Sequence, residues 1–132
     1  MGRDLIRLCR ASGGTAAVEF ALVLPIMLTI ILGGFEFGRV YWARHTLQYA
    51  AEETGRYAMA HTTATATQLT SYAKTNMPGL DPAAATVAVT PDSVGSTSYI
   101  TITVTAPFDF VIPFVDLSPL TLTGTTRVPL LS

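Results

Sequence analysis

Glu19 is the only charged residue between positions 15 and 35, in the stretch TAAVEFALVLPIMLTIILGGF. A charge at mid-bilayer costs at least about 2.5 kcal/mol, and a counter-charge or water at the bilayer edge relieves it. Arg10 is one available partner. A chain cut just before Thr15 offers another, the new α-amine, either four residues back on the same helix or on a neighbouring copy. Two opposite charges in a low dielectric satisfy each other and fix the axial offset between helices. That is the chemistry of assembly; no covalent bond is made or broken.

The other reactive groups do not compose a catalytic set. Glu52 and Glu53 are adjacent, so on a helix they point about 100° apart and share no site. Ser93, Ser96 and Ser98 gather in one short stretch, while His45 and His61 lie far back in the chain, which suggests no nucleophile–base pair. The single cysteine, Cys9, excludes an intramolecular disulfide and a multi-cysteine metal site. Two histidines outside any acidic cluster do not make a metal centre. Eight Lys/Arg against nine Asp/Glu, a net charge of -1, provide no polybasic surface for nucleic acid. Neither an enzyme, a cofactor nor a metal is expected.

The elements that carry Glu19 follow from length and apolarity. A helix over residues 15–35 is about 31 Å long, the thickness of a hydrocarbon core. The chain has 132 residues, 49% of them apolar and only 13% charged. What remains outside this segment is too short and too polar to surround a helix apolar on all sides. A single membrane-spanning helix is therefore expected. Pro25 predicts a mild kink, since it removes one donor and crowds the carbonyl of Ala21. Gly33 and Gly34 permit close helix approach or a further bend. Arg3, Arg7 and Arg10 precede the segment and Arg39 and Arg44 follow it, a bias that favours a cytoplasmic N-terminus. The run leads into Gly-Gly-Phe-Glu-Phe without an Ala-x-Ala site, so signal-peptide cleavage beyond it is not expected.

Residues 36–60 contain no proline, and Phe37, Val40, Tyr41, Leu47, Ala51, Tyr57 and Ala58 recur at roughly helical spacing. The helix should thus continue past the membrane, with Gly55 weakening it and Glu52 pairing with Arg56. Ala66, Leu69, Tyr72 and Ala73 line one face of a second helix, stopped by residues 76–79. After Pro82 the period becomes two. Val87 and Val89 share a face in 86–90, and Ile100, Ile102 and Val104 do so in 99–106. Leu120, Leu122 and Val128 continue the pattern in 120–128, interrupted by Gly124. Residues 91–95 are the expected turn between the first two strands. The fold class is α+β: a long N-terminal membrane-spanning helix continuing into a helical stem, then a small helix-covered antiparallel sheet of about three strands. The connection before the last strand carries Phe108, Phe110 and Phe114, which either fold under the sheet or form an apolar surface for a partner or the membrane.

Residues 10–39, RASGGTAAVEFALVLPIMLTIILGGFEFGR, resemble the N-terminus of the TadE-like proteins, pilin-like accessory components of tight-adherence (Flp) pilus systems. The shared features are a basic leader ending in Gly13-Gly14, then Thr15 to Phe20, the apolar stretch with Pro25, and Glu36 beyond it. A looser likeness continues through residues 49–57 and 120–123. In prepilins of this class a dedicated peptidase cuts after the glycine, and a glutamate stands fifth in the mature chain before an aromatic. The resemblance thus implies processing between Gly14 and Thr15, with Glu19 and Phe20 in those positions. It implies assembly through Glu19, Pro25, Gly33 and Gly34. The implied partners are the prepilin peptidase, other pilin-like subunits, an inner-membrane pilus assembly platform and the lipid bilayer.

The expected layout is a cytoplasmic leader 1–14, a transmembrane helix 15–35, an extracytoplasmic helical region 36–78 and a small β-rich domain 79–132. The setting is a bacterial inner membrane, with the C-terminal domain outside and the chain either in the pilus or in its machinery. The chain is much longer than a major Flp pilin, which favours an accessory or minor subunit. A plain single-span anchor for a small interaction domain is the alternative. It predicts that the leader stays attached and that Glu19 is replaceable.

Overall fold

The computed structural model describes residues 12–111 and 119–130. Helix α1, Ser12–Ala60, runs unbroken through Pro25 and Gly55. Proline is tolerated there because the single bond it forfeits is a small part of a long ladder, and Ala- and Leu-rich flanks propagate the helix. The chain divides into two compact units, residues 1–36 and 37–132.

In the first unit α1 turns large apolar side chains outward in every direction, among them Val18, Leu22, Ile26, Ile30 and Ile31. The most apolar 18-residue window of the helix has a mean hydropathy of 2.3, and none of it is buried. Among the described residues this is the one helix long and apolar enough to cross a membrane.

The second unit is the remainder of α1 laid on a sheet. Helix α2, Ala66–Thr75, starts at a capping box in which the Thr65 hydroxyl accepts from Gln68 N–H at 3.3 Å. Gln68 Oε1 in turn accepts from Thr65 N–H at 2.9 Å, so two otherwise orphaned donors are satisfied reciprocally. Strands β1 (Thr86–Val94), β2 (Thr97–Phe108) and β3 (Leu120–Leu130) form an antiparallel sheet in that spatial order. Long α1 followed by a helix-covered antiparallel sheet is a pilin-like α+β arrangement. One face of β2, made by Ile100, Ile102, Val104, Ala106 and Phe108, is buried along its whole length. It meets Leu47, Leu69, Leu122 and Val128 in a single core.

Four local expectations are corrected. β1 runs through Pro91 to Val94, and the turn is only Gly95-Ser96, with Gly95 at φ 62°. Pro91 fits because β1 is an edge strand, where a missing N–H forfeits no ladder bond. The face α1 turns to the core is Ala43, Leu47, Ala50, Ala51, Thr54 and Ala58, whereas Phe37 and Tyr41 are 72% and 59% exposed. The sheet lies too close to the helix to admit rings. Leu120, at the free end of β3, is exposed, unlike Leu122. Arg56 pairs with Glu53 at 2.5 Å rather than with Glu52, whose carboxylate accepts from Gln48 Nε2 at 2.7 Å.

Gly124 is not an interruption of β3 but the point of closest approach. A Cβ placed there would meet the Leu47 carbonyl carbon at 2.4 Å and the Gln48 nitrogen at 2.5 Å, both backbone atoms. Gly55 answers it from α1, since a Cβ there would touch Thr126 Cγ2 and Val128 Cγ1 at 3.0 Å. Two glycines and a row of alanines let helix and sheet backbones approach closely.

Candidate assembly surface

Gly14, Thr15, Glu19, Phe20 and Pro25 all lie on the exposed surface of α1 in the first unit. Thr15 and Glu19 are one helical turn apart, so they stand above one another on the same side. Phe20 is 61% exposed and lies outside the core formed by the described residues. At Pro25 the helix uses its own carbonyl twice: the Thr29 hydroxyl donates to Pro25 O at 2.8 Å. A Cβ at Gly14, Gly33 or Gly34 would meet nothing within 4 Å. The fold of a single chain therefore does not require glycine at these positions, and Gly38, which the sequence reading passed over, is equally open.

The three phenylalanines separate. Phe108 is buried at 7% exposure, its ring edge-on to Phe110 at 5.4 Å and under the Arg39 guanidinium at 4.9 Å. Its surface is spent on the core and is not on offer to a partner. Phe110 is half-buried against the same cluster. Phe114 lies outside the described residues, as does the leader as far as Ala11. Trp42, 49% exposed, covers Gly79, whose φ of 75° and missing side chain let the chain turn beneath the indole.

Among the described residues the histidines and serines are dispersed. His45 packs on Tyr41 with centroids 4.3 Å apart. His61 stacks on Tyr57 at 4.1 Å, and Tyr57 in turn stacks on Tyr72 at 4.3 Å. Ser96 lies in the β1–β2 turn, and Ser93 and Ser98 flank it on the surface. No group of three or more His, Cys, Asp or Glu is gathered among the described residues. What the chain presents instead is apolar helix surface with one carboxylate in it.

Sequence reasoning missed Gln48. Its amide accepts from Thr125 N–H at 3.1 Å and donates to Thr125 O at 3.2 Å. Nothing in the local pattern marks it, because a glutamine on a helix is unremarkable until a strand edge is placed beside it.

The arrangement defines the class first: a chain with one apolar, membrane-length helix whose continuation carries a small sheet. The family model for TadE-like proteins matches residues 14–56, which is the greater part of α1. No curated protein and no solved structure matches the chain.

Proposed function

We propose that this chain is a TadE-like, pilin-like accessory subunit of a tight-adherence pilus system. In this reading a prepilin peptidase removes residues 1–14. The exposed apolar part of α1 then anchors the chain in the inner membrane and packs against other pilin-like subunits of the assembly platform. The N-terminus is cytoplasmic and the sheet extracytoplasmic. The observation that carries the reading is the family match, which opens at Gly14 and runs along a single unbroken helix. The open space at Gly33 and Gly34 and the outward Glu19 support it, since none of these residues belongs to the core formed by the described residues.

Glu19 acts through its charge. Pairing with the freed Thr15 amine of a neighbouring processed chain compensates a desolvated carboxylate and sets the stagger between helices. Glu19→Gln keeps shape and hydrogen bonding but removes that pair. The expected outcome is normal insertion and cleavage, a mature N-terminus at Thr15 by Edman sequencing, and loss of piliation and of co-purifying pilin-like subunits. Wild-type chain that still begins ahead of Thr15 in cells with an active prepilin peptidase would turn the assignment towards an uncleaved anchor. Normal piliation in Glu19→Gln would remove the charge from the mechanism.

A further inference from the structure

β1 and β3 are the two edges of the sheet, and an edge strand offers its unpaired N–H and C=O groups to any strand that comes alongside. Which residues do so follows from alternation, because successive residues of an antiparallel strand bond inward and outward in turn. Thr125 bonds outward, to Gln48, so Thr121, Thr123, Arg127 and Pro129 do likewise. Across the sheet Thr125 pairs with Thr103 and Thr103 with Ala88, which places Val87, Val89, Pro91 and Ser93 outward on β1.

Both edges are closed by different means. Pro91 and Pro129 stand at outward positions and have no N–H to give. The N–H of Ser93 is taken by Asp92 Oδ1 at 2.7 Å, and α2 packs against β1. The middle of β3 has no proline, and α1 meets it at Gly124. It has the Gln48 amide, one donor and one acceptor set on both backbone groups of Thr125, as a residue of an added strand would set them. Gln48 is itself held, by Glu52 Oε1 at 2.7 Å and by its backbone lying against Gly124.

We propose that Gln48 is an edge lock: its side chain occupies the place of a fourth strand on β3, and without it β3 pairs with β3 of a second copy of this chain. The second copy is the occupant because an antiparallel pair centred on Thr125 is self-complementary. Its register sets Arg127 opposite Thr123 of the other copy, so no like charges face each other. The segment LTLTGTTRV is threonine-rich with one charge, a composition that favours strand pairing.

The test uses full-length protein in detergent micelles. In Gln48→Ala at high dilution the Thr125 amide should exchange with solvent on the order of tenfold faster than in wild type. As concentration rises, the mass by light scattering should double relative to wild type and protection at Thr125 should return. Gln48→Ala/Thr125→Pro deletes the outward N–H at the centre of the pair, where an edge proline is tolerated, and should restore the wild-type mass. That double variant separates edge pairing from general loosening of the helix on the sheet. A Gln48→Ala protein with wild-type mass at every concentration overturns the proposal, and so does association that Thr125→Pro leaves unchanged.

Discussion

Leu28 and Leu47 belong to the same unbroken helix, yet Leu28 is 46% exposed and Leu47 is 0% exposed. Around Leu28 the helix is apolar on every side and large side chains predominate, Ile26, Met27, Ile30, Ile31 and Leu32 all lying outward. Around Leu47 the inward residues are small, Ala43, Ala50, Ala51 and Thr54, while Tyr41, Trp42 and Tyr49 stay outside. A helix that must meet lipid or other helices gains from bulk and uniform apolarity. A helix that must seat a sheet gains from a flat strip on which strand backbones can come close. One secondary structure therefore serves two packing problems, and side-chain size distinguishes them where hydrophobicity alone does not.

The contrast can be broken most severely at Gly124. Gly124→Val puts two methyl groups and a Cβ where the backbone of α1 already stands, at 2.4–2.5 Å from a Cβ, and neither backbone can yield cheaply. Overpacking of this kind costs roughly 3 kcal/mol or more, and the displaced helix also loses the Gln48–Thr125 bonds. The second unit should lose its protease-resistant core, while carbonate-resistant membrane attachment through the first unit persists. A folded, protease-resistant Gly124→Val protein would show that the sheet does not sit on the helix backbone.

A pair of identical truncations sharpens the comparison. Ile102 is 0% exposed in the core and Ile26 is 64% exposed on the apolar helix. Ile102→Ala should destabilise the second unit by about 2–5 kcal/mol, read as a lower melting temperature of the detergent-solubilised protein. Ile26→Ala should leave that melting temperature unchanged. Equal shifts in the two variants would mean that the units do not fold by separate rules.

The smallest effect is expected on the outer face of the sheet. Arg127 donates to Asp92 at 2.6 Å and lies over the Tyr99 ring at 4.3 Å, but both charged partners are exposed. Exposed pairs of this sort contribute about 0.2–1 kcal/mol, so Arg127→Ala should lower the melting temperature slightly, and the residual difference from wild type should shrink in high salt. A loss as large as that of Ile102→Ala would make the outer face a second source of cohesion.

Much of this was legible in residue order. The apolar run of 15–35, the alternation at Ile100, Ile102 and Val104, and the stop at 76–79 are short-range patterns, and the elements they foretell are present. The faces of β2 were readable because a period of two leaves no choice once one residue is buried. The inward face of the stem was not. Phe37 and Tyr41 are more apolar than Ala50 or Ala51, and only the approach distance of a strand selects the smaller set. Likewise Glu52 and Glu53 stand equally well spaced for Arg56, and the pair forms with Glu53 while the Glu52 carboxylate is held by Gln48.

By itself the sequence determined where the chain is helical, where it alternates, and that one segment is apolar over a membrane's length around a lone carboxylate. These depend on local spacing and transfer free energy, which neighbours far along the chain do not alter. Tertiary structure alone decided that Gly124 is a contact rather than a gap, that Phe108 is core, and that Gln48 closes a strand edge. Each of these rests on two backbones brought together from positions 77 residues apart or in different elements, and the distance between backbones is a property of the packed whole that no stretch of residues encodes on its own.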